Sequence, residues 1–163
     1  MDFAILALRS IVGIVFLAHG IKHVINREKT IRWTASIGLR YPRMRWFFMA
    51  FAEIGIGVSF LAGFLTPVGS AGLIAMLFVA FWTVHRRAGF FVSARPDEGY
   101  EYVLTLSVIA GVVAYLGPGR YSVDDALGLT EGLSGTAGLT IALAGIVAGA
   151  LQLLATYRPS GTG

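Results

Sequence analysis

The sequence predicts an all-α integral membrane protein, a bundle of four transmembrane helices extended by a fifth, C-terminal one. Three observations predict it. Hydrophobic residues fill 56% of the 163 positions, and mean hydropathy is +0.73. Charged residues make up 13%, where soluble domains carry roughly 25%. Apolar runs of near-spanning length recur along the chain with no linker between them, so one membrane domain is expected. Its organisation reads as a four-helix membrane domain over residues 1–127, an added helix over 128–157 and a short polar tail over 158–163.

Crossing roughly 30 Å of hydrocarbon takes about 20 helical residues. The first candidate span, residues 3–20, is apolar apart from Arg9, Ser10 and His19 and continues toward Ile25. It lacks the basic n-region and the small-residue cleavage site of a signal peptide and holds Arg9 within its apolar stretch, so it is expected to remain in the mature protein. The second, residues 46–65, is interrupted only by Glu53 and Ser59. The third, residues 68–84, carries no acidic or basic side chain, and Thr66-Pro67 before it suits a tight turn and a helix start. Residues 102–116 form the shortest candidate. Residues 133–157 carry no charge, with Gln152 as their one amide.

Charge placement orients the bundle. The segment 22–45 holds Lys22, Arg27, Lys29, Arg32, Arg40, Arg43 and Arg45, and 86–101 adds Arg86, Arg87 and Arg95. The opposite connections hold only Arg120. The positive-inside rule therefore puts both basic loops and the C-terminus in the cytoplasm and the N-terminus outside the plasma (inner) membrane. The net charge of +4 comes without an aromatic-basic surface, which argues against nucleic acid and for membrane lipids as the partner of these cations. In the first basic loop Ile31, Trp33, Ile37 and Leu39 interleave with Arg27, Arg32 and Arg40, which fits a segment at the headgroup level or a solvated loop anchored by Trp33 and Trp46. The absence of cysteine removes disulfides, thiolate nucleophiles, iron–sulfur clusters and thiolate metal sites.

Ionisable groups within the spans cost at least ~2.5 kcal/mol near the bilayer centre, so each needs a partner or a task. Four qualify: Arg9, His19, Glu53 and His85. With a rise of about 1.5 Å per residue, Arg9 lies about 9 Å and His19 about 24 Å below the outer end of span one, and Glu53 about 11 Å from the cytoplasmic end of span two. His85 closes span three on that side. His19, Glu53 and His85 are thus expected to converge in the inner half of the bundle. Two readings compete. In one, Arg9 and Lys22 reach for opposite interfaces while Glu53 is protonated or bonded to His19. In the other, Glu53 with His19 or His85 makes a proton-handling pocket beside a lipid-soluble ligand. No metal site is expected, and two histidines are thin grounds for a bis-histidine haem. Gly13 and Gly20, the Gly55, Ser59, Gly63 series, and Gly145 with Gly149 are expected to let helices approach closely.

Arg9 with Gly13, Phe16 and the His19-Gly20-x-Lys22 end of span one resembles the start of DoxX-family membrane proteins. Three further stretches match in order: Glu53-Ile-Gly55 with Leu61-Ala-Gly63 and Thr66; His85 followed by Gly89-Phe90-Phe91; and Gly99-Tyr100-Glu101-Tyr102 leading to Gly117-Pro118-Gly119-Arg120-Tyr121-Ser122 and Asp124. Together they cover about residues 5 to 127. The resemblance implies a small, mostly four-helix bacterial or archaeal membrane protein. It further implies a subunit of a redox or oxidative-stress-related complex, not catalytic alone, that touches the quinone pool. On that reading Glu53, His19 and His85 carry the chemistry, Arg9, Lys22, Phe16 and Tyr102 bind the ligand, and a quinone is the molecule held. The alternative is a non-catalytic scaffold that assembles partner proteins or copies of itself, favoured by the small-residue helix faces and the added span. A transporter is weaker, for lack of an evident inverted repeat. The Gly117–Tyr121 segment is expected to make a non-helical turn at the outer surface, because proline lacks a donor and glycine permits positive φ.

Overall fold

A computed structural model describes residues 1–94 and 96–158, so Arg95 of the second basic loop and the tail beyond Arg158 lie outside the described residues. The chain forms seven α-helices there: α1 (Asp2–Ile25), α2 (Arg27–Ser36), α3 (Pro42–Ala62), α4 (Thr66–Thr83), α5 (Glu101–Leu116), α6 (Val123–Ala126) and α7 (Gly135–Thr156). A 3-10 turn, His85–Arg87, follows α4. Extended pairing among the described residues is limited to one isolated bridge, Leu39 to Tyr157.

Helix boundaries follow local chemistry. Pro42 opens α3, where its missing N–H costs nothing. The helix stops at Gly63, whose φ of 65° suits glycine. Thr66-Pro67 opens α4 behind Leu65, which takes a left-handed φ of 48°. The strain at a non-glycine residue is offset by capping from a distant carboxylate, described below.

Four helices, α1, α3, α4 and α7, are long and apolar enough to cross a membrane. The C-terminal segment expected as an addition is thus among the four clearest spans. The helix of doubtful length is α5, whose 16 residues reach about 24 Å against roughly 30 Å of hydrocarbon. Its connections nonetheless run from one end of the bundle to the other. Residues around its N-terminus belong to the end of the bundle that holds α2 and the 3-10 turn. Its C-terminus meets the opposite end, where a Cβ at Gly117 would lie 3.0 Å from Ser134 at the start of α7. The chain therefore crosses the bundle five times, and α7 returns to the α2 end. There Arg158 N–H donates to Gly38 O at 2.8 Å, Arg40 N–H to Thr156 O at 2.9 Å and the Arg45 guanidinium to Thr156 Oγ1.

Helices α1 and α3 form one close pair and α4 and α7 another, with α5 against α1, α4 and α7. Val12, Phe16, Phe60, Leu73, Leu106 and Val113 build the shared core. Backbones nearly touch in the α1–α3 pair. A Cβ at Gly57 would lie 2.8 Å from Leu17 N and one at Gly20 2.9 Å from Ala50 O. The α4–α7 pair is similar, since Gly145 and Gly149 face Ala71 O and Ala75 O. Gly55 corrects the expected series: it is exposed, nothing lies within 4 Å of its Cβ position, and Gly57 takes the contact instead. The two differ by two residues, about 200° around a helix, so they occupy nearly opposite faces. Outward faces carry exposed Ile11, Phe48, Val58, Val108, Val147 and Leu151, a surface that fits lipid and not water.

Candidate functional site

Arg9 is 1% exposed, and its guanidinium is committed to backbone carbonyls. Nε donates to Phe60 O at 2.9 Å, one terminal nitrogen donates to Pro118 O, and the other donates to Leu61 O at 3.2 Å and Tyr121 O at 3.1 Å. These acceptors are the last, unsatisfied carbonyls of α3 and two carbonyls of the non-helical turn after α5. The turn forms as expected, with Gly117 and Gly119 at φ of 86° and 74°. A side chain at Gly63 would collide with the guanidinium, its Cβ lying 2.6 Å from the Arg9 Cζ. Arg9 therefore neither reaches for the interface nor presents a free fork to a ligand: it binds three segments together.

The countercharge is Asp124, fully buried and electrostatically coupled to Arg9. Its carboxylate accepts from Leu65 N at 2.7 Å, Thr66 N at 3.0 Å and Thr66 Oγ1 at 3.0 Å. It thus caps α4 from 58 residues away, where a negative charge meets the positive end of the helix dipole. Sequence reasoning assigned Asp124 no role, because a cap is recognisable only when it adjoins its helix in sequence.

A second polar group sits near the opposite end, between α1 and α3. Nitrogens of His19 and His23 and a carboxylate oxygen of Glu53 all lie within 4.8 Å of one another. His19 is exposed, His23 half-buried and Glu53 only 7% exposed. The Glu53 Oε2 is enclosed and has no hydrogen-bond partner. Its nearest basic atom is His23 Nε2 at 3.7 Å, beyond hydrogen-bonding distance. Helix α2 covers this corner. Trp33 stacks on His23 at 6.5 Å and 16°, Trp46 Nε1 donates to His23 O at 2.8 Å, and Arg27 lies 5.0 Å over the Trp46 ring. The amphipathic segment of the first basic loop is therefore a lid helix on the α1–α3 pair.

Beside the cluster opens a small cleft lined by Val15, Phe16, His19, Glu53, Tyr102 and Leu106. Its volume is about 40 Å³, room for two or three waters. Phe16 forms its buried wall and half-exposed Tyr102 its rim. The structure thus brings His19, Glu53, Phe16 and Tyr102 together. Lys22 is exposed next to the cluster and couples electrostatically with both imidazoles.

His85 does not join them. It lies in the 3-10 turn after α4, and its Nδ1 is 2.7 Å from Glu98 O. That contact belongs to a closed loop at the foot of α5. Gly99 N donates to Phe91 O and Tyr100 N to Gly89 O, each at 3.0 Å, and Val92 N donates to Glu101 Oε2 at 3.1 Å. Tyr100 packs edge-on against Phe81 and Phe90. The Gly89-Phe90-Phe91 and Gly99-Tyr100-Glu101 stretches thus build one loop, with His85 as its strut. Depth counting placed His85 at the right end of the bundle but carries no information on which helices adjoin.

The sequence places Lys22 and His23 one turn from His19 on a shared face of α1, with His19 and His23 at i and i+4, but sequence reasoning gives that spacing no role in the site.

Compared with known proteins, the sequence matches the model of the DoxX family over residues 4–86, just over half of the 163 positions. No curated protein and no solved structure matches it. The matched stretch holds Arg9, His19, His23 and Glu53, whereas the Arg9 acceptors Pro118 and Tyr121, the cap Asp124 and the rim Tyr102 lie beyond it.

Proposed function

The chain belongs to the DoxX family, and from that premise we propose that it is the membrane subunit of a redox assembly that presents one polar site to a lipid-soluble, quinone-class molecule. The observation that carries the reading is Glu53: a carboxylate within an apolar span, with an enclosed oxygen that bonds to nothing, beside two imidazoles and a small cleft. Groups so costly to hold in a bilayer mark functional sites. Glu53 and His19 supply the acceptor and donor that a quinol hydroxyl or a quinone carbonyl requires. The cleft, about 40 Å³, is far below the roughly 300 Å³ of a pocket that engulfs a ligand. A head group would therefore lie across the mouth, its ring against Tyr102 and one oxygen directed inward. Electrons must come from a partner or a bound cofactor, because these side chains carry none. Arg9, already saturated, serves this reading as architecture.

Mass spectrometry of native protein purified in mild detergent tests the proposal, followed by titration with a short-chain quinone. The expected result is copurifying quinone and a dissociation constant raised at least about tenfold by Glu53→Gln and by His19→Ala. Unchanged affinity in both variants, or a stoichiometric protein partner without any quinone, refutes it. The latter outcome supports the scaffold reading.

A further inference from the structure

The geometry points to a divalent transition-metal site made by His19, His23 and Glu53, and we propose that this protein binds one first-row ion there through two imidazoles and one carboxylate. The inference adds a ligand to the polar site described above but does not depend on quinone binding.

Three observations support it. First, the donor set is suitable. Two histidines at i and i+4 on α1 present their rings from one face, the arrangement by which a helix chelates zinc, and Glu53 completes the set from α3. Two imidazoles with one carboxylate suit zinc or ferrous iron and leave coordination positions open.

Second, the hydrogen-bond network assigns the tautomer of His23. Thr30 Oγ1 donates its one proton to Asn26 O at 3.1 Å. It then accepts at its 3.2 Å contact with His23 Nδ1, so the neutral imidazole carries its proton on Nδ1 and has its lone pair at Nε2. Orientation of a ligating imidazole through its other N–H is the usual support of a metal ligand.

Third, that lone pair faces Glu53 Oε2 across 3.7 Å. The two atoms share no hydrogen bond across a largely enclosed space, and Oε2 has no other partner. A cation between them would be bonded by both. Tetrahedral metal–ligand bonds of about 2.0–2.2 Å put donors about 3.4 Å apart, so the widest pair must draw in by up to about 1.4 Å from the 4.8 Å spread. Rotation of the exposed His19 ring supplies that movement. The adjoining 40 Å³ cleft has room for one or two metal-bound waters or a ligand oxygen. Lys22 opposes the ion electrostatically, since it couples with both imidazoles.

The test uses the whole protein in detergent, stripped with chelator and titrated with Co²⁺ as a spectroscopic probe, then with Zn²⁺ in competition. One equivalent of Co²⁺ is expected, with visible ligand-field bands that Zn²⁺ abolishes. Affinity should fall at least about tenfold in His19→Ala and in His23→Ala and rise in Lys22→Leu. Glu53→Gln keeps the side-chain shape, removes the anionic ligand and should weaken binding similarly. Because His19 is exposed, His19→Ala separates loss of a ligand from loss of fold, and size-exclusion elution confirms a folded bundle. No saturable binding by wild type, or full affinity retained in His19→Ala and His23→Ala, overturns the proposal. Quinone titration of the metal-free protein keeps the two readings apart. Quinone binding together with no saturable metal binding sinks this inference alone, and saturable metal binding together with no quinone binding sinks the other alone.

Discussion

Replacing Arg9 by Met should destabilise the bundle more than any other change of one exposed or buried cation. The guanidinium serves four carbonyls, those of Phe60, Leu61, Pro118 and Tyr121. Hydrogen bonds between membrane helices contribute on average ~0.6 kcal/mol, and those to charged groups about 1.5 kcal/mol or more, so the four bonds together contribute about 2–6 kcal/mol. Met also removes the cost of keeping the guanidinium out of water but leaves buried Asp124 without its countercharge, so the two effects offset each other in part. The net loss should be about 2–4 kcal/mol, a shift of roughly 30- to 1,000-fold in the unfolding equilibrium at 1.4 kcal/mol per decade. Arg9→Lys should lie between, since an ammonium keeps the charge but lacks the planar fork. The assay is reversible unfolding in mixed micelles, read by fluorescence of the three tryptophans. Arg120→Met is the control, because Arg120 is an exposed cation of the same turn. The reasoning fails if Arg9→Met unfolds within about 0.5 kcal/mol of wild type, or if Arg120→Met costs as much.

Asp124→Ala strips three donors at the start of α4 of their acceptor and should cost about 2–4 kcal/mol in the same assay, with Asp124→Asn intermediate. Gly57→Ala should destabilise by about 1–3 kcal/mol because its Cβ meets Leu17 N at 2.8 Å. Gly55→Ala, with open space around it, should be neutral or gain up to about 1 kcal/mol from helix propensity. Met1 and Arg158 lie at opposite ends of the bundle, and the described residues of the basic loops share an end with Arg158. A fluorescent-protein fusion after residue 158 should therefore mature in the cytoplasm, and one at the N-terminus should not. The reverse pattern contradicts the orientation read from charge.

Part of the candidate site was legible in the sequence because solvation there acts on single residues. His19 and Glu53 stand out since any ionisable group in an apolar run is costly wherever its neighbours lie. Counting the helical rise placed both near one depth, and they do meet. His85 passed the same count and lies apart, because depth fixes one coordinate and leaves the angular position around the bundle open. His23 failed to stand out because it sits near the end of α1 among basic residues, where a polar side chain looks ordinary. Its importance comes from Thr30, Trp33 and Glu53, contributed by α2 and α3.

Composition and spacing alone determined that the chain folds in a bilayer, how many apolar segments it offers and which connections carry the positive charge. Each of these depends on local free energies of transfer that sum along the chain regardless of tertiary contacts. The tertiary structure decided what the costly groups do. It turned Arg9 from a candidate ligand contact into a strut, gave Asp124 a helix to cap, moved the packing role from Gly55 to Gly57, and set His23 against Glu53. Those assignments depend on which helix faces meet, and that is settled by backbone contact at glycine and by hydrogen bonds across more than fifty residues of sequence, neither of which periodicity encodes.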